Sequence, residues 1–347
     1  MLSSPSQLIK RNLDVFSSGK WALLNPEDTA VFSLLPDETL GLHHFYHVFR
    51  ACREVKPDQH LFSAYFTEET LSTLNGVVIY MPKAKQVLDM LLDNLANYLP
   101  IDAKVLVVGE NKSGVKSADK IMQKYLADVQ KLDGAKHCTL LIGNLKQKDA
   151  LTGFSIDKYL LKKSYSINGQ ALMLCSLPGV FGHKELDPGT KLLLDQFPDA
   201  KEIRQMRGKL YDFACGTGII GAYFKCINPK LTLCLSDVSA LSIYCTQQTL
   251  AENKIEGDLI ASDGMQEVQG KFDYIVSNPP FHSGLKNDYE ITQQFIQDAY
   301  RHCLKQGKLS LVANRFLPYA DCIQQTFNQF TVLAKSTKFT VYQTTKR

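Results

Sequence analysis

Short apolar runs alternate with amphipathic stretches along the second half of the chain. The pattern predicts strands over residues 209–213, 231–235, 259–261, 272–277, 309–313 and 339–343. Helices are predicted between them, over residues 218–226, 240–253, 291–304 and 319–327, with the third ended by the breaker Gln306-Gly307. This alternation is typical of a doubly wound α/β fold, in which helices cover both faces of a parallel sheet. The last strand is β-branched and aromatic and could run antiparallel.

A fainter copy of the same order lies in the first half of the chain. Strand-like segments at 21–24, 77–80, 104–109 and 138–142 follow one another as the segments at 210–213, 274–277, 308–313 and 339–343 do. Met81-Pro82 then stands where Asn278-Pro279 stands in the second half. Two unrelated α/β domains could share such segments by chance, but four in the same order favour a duplication. We therefore predict two tandem Rossmann-like domains, of which the N-terminal copy is degenerate.

The two copies differ where chemistry would occur. After its first strand the N-terminal half has Asn25-Pro26-Glu27-Asp28, without a glycine-rich turn, so we expect it to bind no cofactor and either to bind RNA or to stabilise its partner domain. Polar and β-prone residues alternate over residues 152–176. The boundary is therefore placed near Ala150, followed by a linker or hairpin, and the predicted domains are residues 1–150 and 151–347.

Composition and charge narrow the class of protein without identifying its function. The 347 residues are 45% hydrophobic and 21% charged, which suits two globular cores. Neither a membrane-length apolar run nor a signal peptide is recognisable, so a cytoplasmic protein is expected. The net charge of +4 permits RNA binding without arguing for it. Nine scattered cysteines without a CxxC pair predict reduced thiols rather than disulfides or zinc.

A glycine-rich turn, Asp212-Phe213-Ala214-Cys215-Gly216-Thr217-Gly218, follows a predicted strand and opens a helix. Its glycines allow a tight turn and a close approach of the backbone to a ligand. Ile219-Ile220 occupies the place where a dinucleotide fingerprint would have its third glycine. Asp237 lies about twenty residues further on, where a carboxylate can accept hydrogen bonds from a ribose diol. Alternatively, Asp237 caps the next helix, a role for which Ser239 is an equal candidate.

The run Asn278-Pro279-Pro280-Phe281 is the most specific motif in the chain. It follows a predicted strand, at the edge where a parallel sheet presents its ligands. An exocyclic amino group is a poor nucleophile because its lone pair is delocalised into the base. The Asn278 side-chain oxygen and the Pro279 carbonyl could accept its two protons and favour the pyramidal, reactive form. The prolines would fix the loop and Phe281 would stack on the base, so methylation of a nucleobase amino group is predicted.

Weaker candidates surround these motifs, and each has a structural alternative. The Asn278 run could be only a proline-rich turn with a buried Phe281, which its place after a strand disfavours. Asp263 could accept from an adenine amino group or simply form an Asp-Gly turn. Cys215 is interpreted as a small packing residue, since no histidine lies nearby in sequence to activate a thiolate. His282 could accept a proton beside the base, although a loop histidine is more often a contact or bystander.

Together the motifs resemble class I S-adenosylmethionine-dependent methyltransferases, and more closely the bacterial ribosomal RNA small-subunit methyltransferase C family. The resemblance spans nearly the whole chain. Besides the glycine turn and the Asn278 run, it rests on Pro178-Gly179-Val180-Phe181, Leu186-Asp187-Pro188-Gly189-Thr190, Asp237-Val238-Ser239, Val312-Ala313-Asn314, Phe316-Leu317-Pro318-Tyr319 and residues 107–114. It implies a tandem fold with a degenerate first copy, which methylates N2 of guanine 1207 of 16S rRNA in the assembled small (30S) subunit and acts as a monomer.

The resemblance also implies roles for particular residues, with S-adenosylmethionine as the cofactor and no metal. The implied catalytic residues are Asn278, Pro279, Pro280 and Phe281. The implied cofactor contacts are Asp212, Ala214, Cys215, Gly216, Gly218, Asp237, Val238, Asp263 and Asn278. The implied substrate contacts are Phe181, Phe281 and His282.

Three other functions remain open at this stage. The nearest is methylation of guanine N2 in 23S rRNA by the related large-subunit enzyme, which shares the duplicated layout. A protein-glutamine methyltransferase would use the same loop on a side-chain amide, but the duplicated N-terminal half argues against it. A non-catalytic RNA-binding assembly factor would have no need of an intact glycine turn and Asn278 loop.

Overall fold

The computed structural model describes residues 1–146, 153–280 and 285–347, with only the backbone of residues 285–289 and 291. Phe281, His282 and the predicted boundary at Ala150 lie outside the described residues. Contacts divide the chain into two compact units, Met1–Tyr159 (the first unit) and Leu160–Arg347 (the second unit). This division falls later in the chain than the predicted boundary. None of the described helices is both long and apolar enough to cross a membrane.

The first unit is built on a mostly parallel sheet. Its strands are β1 (Trp21–Leu24), β2 (Leu40–His43), β3 (His60–Phe62), β4 (Gly76–Tyr80), β5 (Lys104–Glu110), β6 (Leu126–Ala135) and β7 (Cys138–Leu145). Its helices are α1 (Ser4–Lys10), α2 (Tyr46–Arg53), α3 (Glu68–Leu71), α4 (Lys85–Tyr98) and α5 (Asp119–Met122). Short 3₁₀ turns cover Leu13–Phe16, Ala30–Leu34, Pro57–Gln59, Asn111–Ser113, Val115–Ser117 and Ile156–Lys158. The strand order is β3-β2-β1-β4-β5-β7-β6, and β7 is antiparallel to both neighbours.

The second unit repeats this architecture after an added hairpin. Its strands are β8 (Leu161–Ile167), β9 (Gln170–Ser176), β10 (Lys209–Phe213), β11 (Thr232–Asp237), β12 (Asp258–Ala261), β13 (Phe272–Ser277), β14 (Cys303–Asn314), β15 (Thr331–Lys335) and β16 (Phe339–Thr345). Its helices are α6 (Pro188–Leu194), α7 (Ala200–Gln205), α8 (Ile219–Ile227), α9 (Ala240–Glu252), α10 (Leu285–His302) and α11 (Tyr319–Phe327). Strands β8 and β9 form the hairpin, and the large sheet has the order β12-β11-β10-β13-β14-β16-β15.

The shared strand order confirms the predicted duplication. Each of the four segments matched in sequence becomes the same strand of its sheet: β1 and β10, β4 and β13, β5 and β14, β7 and β16. Strand β16 runs antiparallel to both neighbours, as its composition suggested. The two units also share a local feature, because the N–H of Lys20 donates to Asn75 Oδ1 and the N–H of Lys209 donates to Asp273 Oδ2, each at 2.8 Å.

Several elements differ from the sequence-based predictions. Strands β2, β3, β6 and β15 had no predicted counterpart, because they are short or largely exposed and carry little apolar periodicity. Helix α10 begins earlier than predicted, at Leu285. The predicted breaker Gln306-Gly307 lies inside β14, which already begins at Cys303. The strand accommodates it at an irregularity in the pairing with β13, where Gln306 has a left-handed φ of 64°.

Apolar cores lie on both faces of the second sheet. Leu210, Leu235 and Val276 belong to one cluster, together with residues of α8 such as Phe224. Strand residues that point to the other face pack with α10 and α11, as Ile275 and Leu311 do. Burial on both faces leaves the ends of the strands as the places where polar groups can be presented.

Candidate cofactor and catalytic site

The strand order of the second sheet reverses between the parallel neighbours β10 and β13: β11 and β12 follow on one side, and β14 follows on the other. Open α/β sheets bind ligands at such a point. In the last paired rungs Phe213 lies opposite Ser236 on one side and Ser277 on the other. The Ser277 hydroxyl donates to the Phe213 carbonyl at 2.8 Å. The glycine turn, Asp237 and Asn278 therefore leave the sheet side by side, at what we call the carboxyl edge of β10, β11 and β13.

The glycine turn is held in a left-handed backbone conformation at three positions. Ala214, Gly216 and Gly218 have φ values of 55°, 59° and 76°. A Cβ added at Gly218 would lie 2.8 Å from Thr246 Cγ2, whereas one added at Gly216 would have no neighbour within 4 Å. Gly218 therefore serves the packing of α8 against α9, and the backbone at Gly216 faces open space that a ligand could approach.

Asp237 uses its carboxylate to join two loops. Its Oδ2 accepts from the N–H of Gly216 at 2.9 Å, and its Oδ1 accepts from the N–H of Ser239 at 2.9 Å. Burial raises the pKa of Asp237, an effect that the hydrogen bonds from Ser239 and Gly216 oppose. The helix cap is supplied by Ser239, whose Oγ accepts from Ser242 N. Asp237 is thus not the cap, and its remaining lone pairs suit a ribose diol.

Asp212 is fully buried at the end of β10. Its Oδ2 accepts from the N–H of Gly221 at 2.8 Å and ties β10 to the first turn of α8. Within the part of the chain that the structure describes, its Oδ1 has no hydrogen-bond partner. Burial raises the pKa of Asp212 to about 7, with a further rise from the charge of Asp237. An unpartnered buried oxygen beside the glycine turn is a group that a bound ligand or a water could satisfy.

Cys215 packs inside the turn rather than facing outwards. Its N–H donates to the Ser236 carbonyl at 2.9 Å, and its Sγ lies 3.3 Å from Thr246 Oγ1. Burial, followed by the charges of Asp237 and Asp212, raises the pKa of the Cys215 thiol well above its usual value. A neutral, enclosed thiol has the properties of a packing residue and not those of a nucleophile.

Asn278 carries the most unusual hydrogen-bonding pattern at this edge. Its Nδ2 donates to Asp187 Oδ2 and to Thr190 Oγ1, at 2.9 Å in both cases. Its Oδ1 is buried and has no hydrogen-bond partner among the described residues. The amide therefore has both donors satisfied, while its acceptor remains available to a ligand.

The remaining predicted site residues have simpler surroundings. Phe181 is an exposed aromatic residue, 60% accessible, in the turn after β9. Val238 and Asp263 are half-buried in the loops after β11 and β12, and Pro279 is buried while Pro280 is exposed. Phe281 and His282 fall outside the described residues, so their predicted stacking and contact roles stay predictions. The arrangement brings the turn, Asp237 and Asn278 together along one edge.

Asp187 and Thr190 had no predicted role, although they belong to a motif that contributes to the family resemblance. Asp187 caps helix α6, because its Oδ2 accepts from the N–H of Thr190 at 2.8 Å, and Pro188 occupies the first turn. The Asp-Pro-x-Thr pattern does predict a helix start. The contact with Asn278, which is 91 positions away from Asp187, had no signal in the sequence.

The strand registers show what the first unit has at the matching positions. They make His43 the counterpart of Asp237 and Tyr80 the counterpart of Asn278. The sequence-based match of Met81 with Asn278 is therefore wrong by one position. Tyr80 is buried and its hydroxyl lies 2.8 Å from Ser6 Oγ.

His43 is likewise enclosed within its own unit. Its Nε2 lies 3.1 Å from His60 Nδ1, and the ligand atoms of this pair and of Cys52 lie within 4.8 Å of one another. The two ring nitrogens already hydrogen-bond to each other, so the group is a buried histidine pair. Side chains that face inwards at both positions support the prediction that the first copy is degenerate.

Comparisons with known proteins agree with this architecture. Residues 171–343 match the methyltransferase small domain family, and residues 6–162 match its N-terminal domain family. Ribosomal RNA small subunit methyltransferase C of Pseudoalteromonas atlantica is 40% identical over 348 residues, which cover 99% of each chain. The protein of the same name from Alteromonas mediterranea is 37% identical over 368 residues, again 99% of each chain.

A solved structure shares the fold of the whole chain. It is the 16S rRNA N2 G1207 methyltransferase of T. thermophilus in complex with AdoMet and guanosine. The TM-score is 0.84 at 20% sequence identity, over 99% of this chain and 92% of that chain. At this identity the likeness supports the tandem fold, and the two curated relatives carry the family relationship.

Proposed function

This chain belongs to the ribosomal RNA small subunit methyltransferase C family, and on that premise we propose that it transfers a methyl group from S-adenosylmethionine to N2 of a guanine in 16S rRNA. The premise rests on relatives whose similarity extends over 99% of the chain. The proposal assigns the chemistry to the carboxyl edge of the second unit. The observation that carries it is the buried, unpartnered Oδ1 of Asn278.

The Asn278 oxygen suits an acceptor whose nitrogen carries N–H protons, as the exocyclic amino group of guanine does. Guanine N2 carries two protons and a lone pair that is delocalised into the ring. An oxygen that accepts one of these protons, together with the Pro279 carbonyl for the other, favours the pyramidal nitrogen whose lone pair can attack. A fixed, desolvated acceptor needs no reorganisation at the moment of reaction.

The cofactor fits the neighbouring part of the edge. The backbone at Gly216 faces open space, Asp237 can accept from ribose hydroxyls, and Asp212 has an unpartnered oxygen. When bound, S-adenosylmethionine supplies a methyl group that its sulfonium already activates. The chain then contributes position and electrostatics, and needs neither a metal nor a covalent intermediate.

The step is a direct displacement in which the residues hold the two reactants in line. The guanine nitrogen forms a bond to the methyl carbon while the carbon–sulfur bond breaks and its electron pair stays on sulfur. Asn278 and Pro279 orient the amino group, and the extra proton leaves the nitrogen to solvent. A guanine inside a helix would have to flip out of its stack to reach this edge.

The finer parts of the proposal concern the substrate particle and the first unit. Guanine 1207 of the assembled 30S subunit is the proposed target, and the protein is proposed to act as a cytoplasmic monomer. The first unit is proposed to contact RNA or to stabilise the catalytic unit, without binding cofactor. Its inward-facing His43 and Tyr80 support the last point.

Labelled methyl transfer onto purified ribosomal subunits tests the proposal. The protein is incubated with radiolabelled S-adenosylmethionine and either 30S or 50S subunits from a strain lacking the modification, and the modified base is then mapped. Label on a 30S guanine N2 is the expected result. Label in 23S rRNA or on a protein glutamine, or no transfer at all, would overturn it.

A further inference from the structure

The Asn278 amide is held from one side by two residues that the proposed reaction does not touch. Both of its N–H protons are used, one by Asp187 Oδ2 and one by Thr190 Oγ1. If the amide were flipped, its oxygen would lie against the carboxylate oxygen and both donated bonds would be lost. The Asp187 carboxylate can only accept, so it selects the orientation in which Nδ2 faces it and Oδ1 stays free.

Asp187 and Thr190 are fixed in position by the start of helix α6 and by its packing on the sheet. Asp187 precedes α6 and accepts from the Thr190 N–H, so the carboxylate has a fixed position before it meets Asn278. Thr190 is 4% exposed, and α6 packs on β14 and β16. A Cβ at Gly189 would lie 2.9 Å from Asp187 Oδ2, so the small residue between them leaves room for this carboxylate.

We propose that Asp187 and Thr190 are positioning residues for methyl transfer, and that the Asp187 carboxylate also strengthens Asn278 Oδ1 as an acceptor. This inference rests on the proposed function. A carboxylate that accepts a hydrogen bond from the amide N–H polarises the amide group, which makes the amide oxygen more negative and a stronger acceptor. The attacking amino nitrogen becomes positive as its bond to the methyl carbon forms, so the polarised oxygen stabilises the transition state more than the bound guanine.

The competing explanation is that Asp187 does no more than cap α6. Asp187→Asn separates the two, because asparagine is an equally good cap and its oxygen can still accept from Thr190 N and Asn278 Nδ2. The variant removes only the charge. We expect kcat to fall about tenfold, which is less than the ~100-fold loss expected for removal of the Asn278 oxygen itself. The KM values for rRNA and S-adenosylmethionine should stay within about twofold of wild type, as should happen when only a transition-state interaction is lost.

Asp199→Asn is the matched control. Asp199 caps α7 in the same way, with its side chain accepting from Lys201 N at 2.7 Å, but it makes no contact with Asn278. Thr190→Ser, which keeps the hydroxyl acceptor, should retain activity, and Thr190→Val should lower kcat. Thermal melting of each variant verifies that a change in kcat is measured on folded protein.

A double-mutant cycle with Asn278→Ala decides whether Asp187 acts through Asn278. If it does, Asp187→Asn will have little further effect on kcat in the Asn278→Ala background. Wild-type kcat in Asp187→Asn, or fully additive losses in the cycle, would overturn the inference while the proposed function stands. If the wild-type protein transfers no methyl group to either subunit, the proposed function fails and this inference fails with it.

Discussion

At the scale of single residues, the proposed chemistry depends on side chains whose polar atoms are oriented by their neighbours. Asn278 has its donors occupied and its acceptor free, whereas each carboxylate oxygen of Asp237 accepts a backbone N–H and keeps lone pairs for a ligand. In the proposed function, Asn278 serves the acceptor base and Asp237 serves the cofactor. Substitutions at the two positions should separate catalysis from cofactor binding.

Asn278→Ala should remove most methyl transfer while leaving cofactor affinity largely intact. The alanine cannot accept a proton of the amino group, and loss of one such preorganised contact lowers kcat by about 100-fold or more. Labelled methyl transfer gives kcat, and calorimetry gives the Kd for S-adenosylmethionine. Methylation at a near wild-type rate would show that the role assigned to this loop is wrong.

Asp237→Asn should mainly weaken cofactor binding. A hydrogen bond to a charged group contributes about 1.5–3 kcal/mol, so the Kd for S-adenosylmethionine should rise roughly tenfold or more. Asp258→Asn is the control, because Asp258 is exposed at the far end of the neighbouring strand β12. An unchanged Kd in Asp237→Asn, measured by calorimetry, would remove the ribose-binding role.

At the scale of elements, the glycine turn has two glycines with different tasks. Both have a left-handed φ, but only Gly218 has a neighbouring side chain, Thr246, in the way of a Cβ. The same turn is tied down by Asp212 through Gly221 N and by Thr246 Oγ1, which donates to the Gly216 carbonyl at 3.1 Å. Packing and ligand approach are therefore divided between the two positions.

Gly218→Ala and Gly216→Ala should have contrasting effects. Gly216→Ala introduces only backbone strain, about 1 kcal/mol, but places a methyl group where the ligand approaches, so cofactor affinity should fall more than stability. Gly218→Ala adds a clash with Thr246 and should lower the unfolding free energy by about 2–3 kcal/mol. Urea unfolding and calorimetry measure the two quantities. Equal effects of the two variants on both quantities would contradict the division of tasks.

At the scale of the whole molecule, the same strand order occurs twice with different polar groups at the carboxyl ends. In the first unit the positions of Asp237 and Asn278 are taken by His43 and Tyr80, which bond to side chains of their own unit. Burial favours the neutral form of these histidines, so their protonation opposes folding of the first unit. The first unit should therefore respond to acid in a way that follows from its histidines.

The first unit should lose stability as pH falls below about 6.5. Burial lowers the pKa of His43 to about 3, with a contribution from His60, and burial lowers those of His44 and His60 to about 4. Unfolded histidines protonate near 6.5 while the folded ones do not, so acid favours the unfolded state. The slope is about 1.4 kcal/mol per pH unit for each histidine between these values.

Trp21 is the single tryptophan of the chain and is buried in the first unit, so its fluorescence reports this unit alone. The urea midpoint measured by this signal should be lower at pH 5 than at pH 7.5, and His43→Gln should reduce the difference. A midpoint that is the same at both pH values would contradict the assignment of neutral, buried histidines.

Much of this molecule was predictable because its signals are local. Apolar runs with a period suited to strands predicted β1, β10 and β13, and the repeated order of such runs predicted the duplication. The glycines of the glycine turn and the prolines of the Asn278 run indicate directly from the sequence that the backbone turns there. Short, exposed strands such as β3 carry little of this periodicity, which is why they were missed.

The sequence by itself therefore determined the fold class, the tandem organisation and the two motifs of the second unit. The tertiary structure decided which partners orient those motifs. Asp187 and Thr190 reach Asn278 from a helix about 90 positions earlier, and the strand register moved the counterpart of Asn278 from Met81 to Tyr80. The physical reason is range: helix and strand signals act between near neighbours in the chain, whereas a hydrogen bond between distant segments exists only after the sheet has brought its strand ends together.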